Sequence, residues 1–162
     1  MKKVMALVLA VVMAVSMMGC GGSDTKEVLL DYINYDLELI GLYEEELLAS
    51  YGSVTGDNYT SDADMYVEFV STTADLAKGL YDEAVDISRE IDDDKVLEVH
   101  RIYIKYSNKF MNLINLMITA LEEQDMDKAM QANEDLNEVN NLALDFQTEL
   151  LELAEEYDVE IN

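Results

Sequence analysis

Residues 94–117 read DKVLEVHRIYIKYSNKFMNLINLM. Apolar side chains recur there at Val96, Val99, Tyr103, Tyr106, Phe110, Leu113 and Met117. The steps alternate between three and four residues, the seam of a helix packed some 20° off antiparallel to its neighbour. Ile104, Ile114 and Ile118 widen the stripe. A wide stripe touches more than one neighbour, as in a bundle rather than a two-stranded coil.

Working outward, the same periodicity appears on both sides. Towards the C-terminus a helix is expected from about Asp127 to Tyr157, with Ala132, Leu136, Val139, Phe146, Leu150 and Leu153 on its inner face. Towards the N-terminus one is expected from about Asp62 to Ile91, with Phe69, Thr73, Leu76, Leu80, Ala84, Ile87 and Ile91 inward. Another spans about Asp24 to Ser50, with Leu30, Ile33, Leu37, Ile40 and Leu47 inward. Ser61 with Asp64, and the run Asp92-Asp93-Asp94, supply helix starts: acids and hydroxyls there meet free backbone N–H groups and the positive end of the dipole. The chain contains no proline, as long uninterrupted helices require. The expected fold is all-α, an up-down-up-down four-helix bundle over 24–162. The alternative is a three-helix bundle with the first helix partly detached.

Before this domain, Lys2 and Lys3 precede an apolar run from Val4 to Met18, broken only by Ser16. Fifteen helical residues reach about 22 Å, short of a ~30 Å hydrocarbon core. That length fits a cleaved signal. The run ends in Met17-Met18-Gly19-Cys20, and Cys20 is the chain's only cysteine. This ending resembles the lipobox of bacterial lipoproteins in Gly19 and Cys20, with Met17 and Met18 standing where Leu and Ala or Ser are usual. The resemblance implies a signal peptide over 1–19, diacylglyceryl on Cys20, and residues 20–23 as a short tether. It further implies a lipid anchor on the extracytoplasmic face of the cell membrane, in the style of the small helical lipoproteins of Gram-positive bacteria.

The net charge is -25. With Lys2 and Lys3 set aside, 8 basic residues face 35 acidic ones, a net −27. Such a field repels phosphate backbones and anionic lipid heads, which argues against nucleic acid and against a basic membrane-surface helix. It attracts cations and basic partners. One cysteine allows neither an internal disulfide nor a Cys-based metal site.

Chemistry-bearing constellations are sparse. His100, the only histidine, has no second ligand at helical spacing and reads as a polar residue flanking the seam. Acidic runs at helix ends read as caps and solvated faces. Glu44 is different, because it falls where the first helix expects an apolar side chain; it and Glu83 are candidates to face inward beside a tyrosine hydroxyl. The stretch from Asp57 to Asp64 is rich in oxygen ligands, but Tyr59 and Asp62 occupy positions where a calcium loop needs an acid and a glycine. No metal site and no cofactor is expected.

The loop Tyr51–Ser61 is the longest irregular stretch, and Asp57 is its one acid. Loops on rigid scaffolds carry function more often than the scaffold does. Tyr51, Asn58 and Tyr59 are therefore the expected contacts for a partner, an envelope protein or glycan. The functional expectation is a non-catalytic binding or structural module. The alternative is a solute- or cation-binding lipoprotein that uses its acidic surface or this loop.

Overall fold

The computed structural model describes residues 24–161. The signal, Cys20 and the tether lie outside the described residues. The protein is an all-helical bundle of four long helices, with no strand among the described residues. Helix α1 covers 24–53, α2 covers 62–87, α3 is Asp94–Glu123 and α4 is Met126–Glu156.

Three starts are capped as their sequences dictate. Ser61 Oγ accepts from the Asp64 N–H at 3.1 Å. Asp93 Oδ1 accepts from Lys95 and Val96, at 2.9 and 3.1 Å. Asp125 Oδ1 does the same for Asp127 and Lys128. Each cap satisfies donors that the first helical turn leaves free. Between α3 and α4 the chain turns on Gln124, in the left-handed region at φ 53°, and Asp125 N–H closes the turn on the Ala120 carbonyl.

The first two helices depart from the even 3.6-residue pattern. Each contains one π-helical segment, Tyr32–Asp36 in α1 and Phe69–Thr73 in α2. Leu37 N–H bonds the Tyr32 carbonyl and Ala74 N–H bonds the Phe69 carbonyl, five residues back. An inserted residue advances the inward face by one position. In α1 this lets Leu29, Tyr32, Ile33 and Leu37 all reach the core. In α2 it seats Phe69, Thr73 and Ala77 inward, so Ala77 takes the buried place expected of Leu76, which is half-buried.

The core runs the length of the bundle. Leu47 and Tyr51 of α1, Leu80 and Ala84 of α2, Val96 and Leu113 of α3, and Phe146 and Leu150 of α4 are all buried in it. Helix α1 is thus a full member of the core rather than detached. The ends are tied by polar contacts. Thr25 Oγ1 donates to Asp93 Oδ2 at 2.6 Å, and Lys95 Nζ pairs with Glu156 at 2.5 Å. Tyr66 Oη donates to Glu122 at 2.7 Å.

Candidate functional site

The distal loop is smaller than its sequence indicates. Helix α1 continues through Ser53, and Tyr51 is only 5% exposed. Its ring stacks on Phe69 at 5.8 Å and meets the edge of Phe110 at 5.6 Å. Tyr51 is therefore a core residue and not a surface contact. It sits four residues after Leu47, where the inward stripe continues. Asn58 and Tyr59 do lie on the exposed loop. The Asn58 amide donates to the Gly52 carbonyl at 2.8 Å, and Tyr59 Oη donates to Asp62 at 2.7 Å. Gly56 adopts φ 60°, a conformation that favours glycine. Large apolar groups are exposed elsewhere too: Val67 and Val70 on α2, Met126 and Met130 on α4.

The densest chemistry is inside. Glu44 reaches the core of the bundle and is 2% exposed. Tyr106 Oη donates to its Oε1 at 2.6 Å and Tyr103 Oη to its Oε2 at 3.1 Å. The two donors belong to one face of α3, three residues apart, so one carboxyl spans both. Burial raises the Glu44 carboxyl above its ordinary range, and the two tyrosine bonds oppose that rise in part. The same burial, with the carboxylate beside them, pushes both phenols well up.

One turn away, His100 is fully buried, not a flank of the seam. Its Nε2 lies 2.7 Å from the Ala84 carbonyl and its Nδ1 lies 2.9 Å from Tyr32 Oη. A carbonyl only accepts, so Nε2 carries the proton and Tyr32 donates to Nδ1. Burial lowers the imidazole below its ordinary value, while the bond to Ala84 acts the other way. The neutral ring is thus the stable form. The Tyr32, His100, Tyr103, Tyr106, Phe110 and Tyr51 rings follow one another at centroid spacings of 5.3–6.3 Å through the core.

A third polar contact joins α1 to α2. Ser50 Oγ donates to Glu68 Oε1 at 2.6 Å and lies 2.7 Å from Thr73 Oγ1, inside the second π segment. Sequence reasoning placed Thr73 inward but did not find Ser50 opposite it; a small hydroxyl at the end of an apolar stripe was the available signal. Glu83 is half-buried at the edge of α2 and does not join these contacts.

Every buried side-chain nitrogen and oxygen among the described residues has a hydrogen-bond partner. No group of three or more His, Cys, Asp or Glu stands in ligating geometry among them. A groove of about 720 Å³ runs between α3 and α4, lined by Lys95, Arg101, Lys105, Glu149, Glu152 and Leu153 among others. Both signs of charge flank its apolar floor. No helix among the described residues is long and apolar enough to cross a membrane.

Comparison of the chain with known protein families, with characterised proteins and with solved structures finds no match.

Proposed function

We propose that this chain is a non-catalytic binding or structural module, held at the extracytoplasmic face of a cell membrane by lipid on Cys20. The observation that carries the reading is that the polar groups of the core satisfy one another. The ionisable groups in the core spend their hydrogen bonds on one another and on the backbone. What is left to act is the surface, where large apolar side chains stand exposed on a strongly acidic body.

The arrangement we infer is up-down-up-down. The Thr25–Asp93 and Lys95–Glu156 contacts gather the start of α1, the start of α3 and the end of α4. The Tyr66–Glu122 contact places the start of α2 by the end of α3, at the other end. A lipid on Cys20, with three residues between it and Asp24, then holds the first end against the bilayer. The loop with Asn58 and Tyr59 then projects from the far end.

Two experiments test this. Labelled fatty acid should enter the wild-type chain and not Cys20→Ser; equal labelling removes the anchor. Replacing residues 52–60 by a Gly/Ser linker of equal length should abolish capture of at least one envelope partner. If the folded variant retains every partner, the loop is a connector.

The solute- or cation-binding alternative is favoured by one observation, the α3–α4 groove with its mixed charge. A body with net −27 is destabilised by self-repulsion, so added monovalent salt should raise the melting temperature. Calcium at equal ionic strength should add little. A larger, saturable calcium effect transfers the conclusion to cation binding.

A further inference from the structure

The solvent face of α1 carries Tyr35, Leu39 and Leu42, which are 70%, 42% and 60% exposed. They follow one another along the helix at the spacing of successive turns, so they form one row. Nothing among the described residues covers that row. Its borders are carboxylates: Asp31, Glu38, Glu45 and Glu46 are all exposed. None of these four has an ion-pair partner among the described residues. The reason lies in the sequence. Between Lys26 and Lys78 there is no Lys, Arg or His, so every charged residue in that stretch is Asp or Glu. Helices α3 and α4, by contrast, answer some of their acids internally, as Lys109 does with Asp135 and Glu138 and Lys95 with Glu156.

An apolar row between unanswered carboxylates is complementary to one kind of surface. We propose that this face of α1 docks a cationic amphipathic helix. Its apolar side chains, recurring at three- and four-residue steps, would lie on Tyr35, Leu39 and Leu42, with Lys or Arg on its flanks meeting Asp31, Glu38 and Glu45. Helix-on-helix docking of this type uses anchors at that same spacing. The charge argues against two other occupants. A second copy brings the same net −27 and the same acidic border, a like-charge juxtaposition that opposes association. An anionic bilayer surface is repelled in the same way. The partner helix gains what the protein lacks, since desolvated opposite charges beside an apolar contact give register and a fast approach as well as affinity.

This inference deepens the binding-module reading but does not need the anchor. If Cys20→Ser is labelled like the wild type, the anchor is lost and the docking face still stands to be tested. The probe is a fluorescent peptide of about 15 residues, long enough to form a helix, with leucines on one face and lysines on the other. The full chain in phosphatidylcholine nanodiscs is titrated into it, with empty discs as reference. Saturable binding is expected, weakening as salt is raised. The triple variant Tyr35→Ser, Leu39→Ser, Leu42→Ser should bind at least about tenfold more weakly, as loss of central anchors does. Its circular dichroism should match the wild type, because these side chains contribute nothing to the core. Leu144→Ser with Leu151→Ser, exposed positions on α4, should bind as the wild type does. Equal affinity of the α1 triple variant overturns the proposal. So does equal binding of a peptide with the same composition but its leucines scattered, which reports acidic attraction alone. A wild type that sediments as a dimer, fails to bind peptide and becomes monomeric in the triple variant assigns the face to self-association instead.

Discussion

Phe110→Ala is expected to lower the unfolding free energy by about 3–5 kcal/mol, the largest loss at any single apolar position. The ring is 2% exposed at the middle of α3 and meets Tyr51 of α1 edge-on while lying beside Tyr106. Removing it takes away transfer free energy and leaves a cavity between two helices that cannot close without moving both tyrosines. Part of that loss is aromatic geometry, which contributes about 0.5–1.5 kcal/mol per well-placed pair beyond area. Leu136→Ala is the comparison. It lies on the α4 stripe, but it is half-buried, and its cost should stay below about 2 kcal/mol. Urea unfolding of both variants against the wild type measures the difference. A neutral Phe110→Ala would mean that α1 and α3 do not share this core.

The α3 stripe was readable because nothing interrupts it. Its N-cap, its alternation of threes and fours and its lack of Gly and Pro all point to one helix, and Val96, Val99, Tyr103, Tyr106, Phe110 and Leu113 are buried as that pattern requires. His100 and Ser107, both buried on α3, were not readable as core. A helix with neighbours on several sides buries a face too wide for hydropathy to mark, and polar residues at its edge are drawn in if they find partners. His100 found Tyr32 and Ala84. In α1 and α2 the register was lost at the π segments. Their local sequences, YINYD and FVSTT, carry no distinctive composition. The insertion is decided by packing, which places Tyr32 under His100 and Thr73 under Ser50, so it is visible only in three dimensions. Tyr51 was misplaced for a simpler reason. Glycines at 52 and 56 suggested an early helix end, yet nothing within 4 Å of Gly52 requires a glycine there, and the helix runs past it. Glu44 was readable because a carboxyl on an apolar stripe must find hydroxyl donors or leave the core. It found Tyr103 and Tyr106, spaced to bracket it.

That arrangement makes Glu44 the position where charge, burial and stability are most tightly linked. Glu44→Ala strands two buried tyrosine hydroxyls without an acceptor, and a stranded buried donor costs about 1–3 kcal/mol. The variant is expected to lose about 2–4 kcal/mol at pH 4, where burial keeps the wild-type carboxyl protonated. Glu44→Gln keeps the shape, an acceptor for Tyr106 and an N–H that can donate to the Tyr103 oxygen, so at pH 4 it should nearly match the wild type. The two diverge as pH rises. Burial raises the folded-state carboxyl above the 4.5 of an unperturbed glutamate. Between 4.5 and the raised value the folded wild type holds a proton that the unfolded chain has released. Stability in that window falls with increasing pH, because the native state binds more protons than the unfolded one. Above the raised value the loss is complete and constant. Glutamine does not titrate and shows none of it. Self-repulsion among the surface carboxylates also grows with pH, but it is common to both proteins and cancels in the difference. The unfolding free energy of Glu44→Gln minus that of the wild type should therefore be flat below pH 4.5, climb above it and then level off with the glutamine variant the more stable. Parallel profiles for the two proteins would place Glu44 in water rather than between Tyr103 and Tyr106.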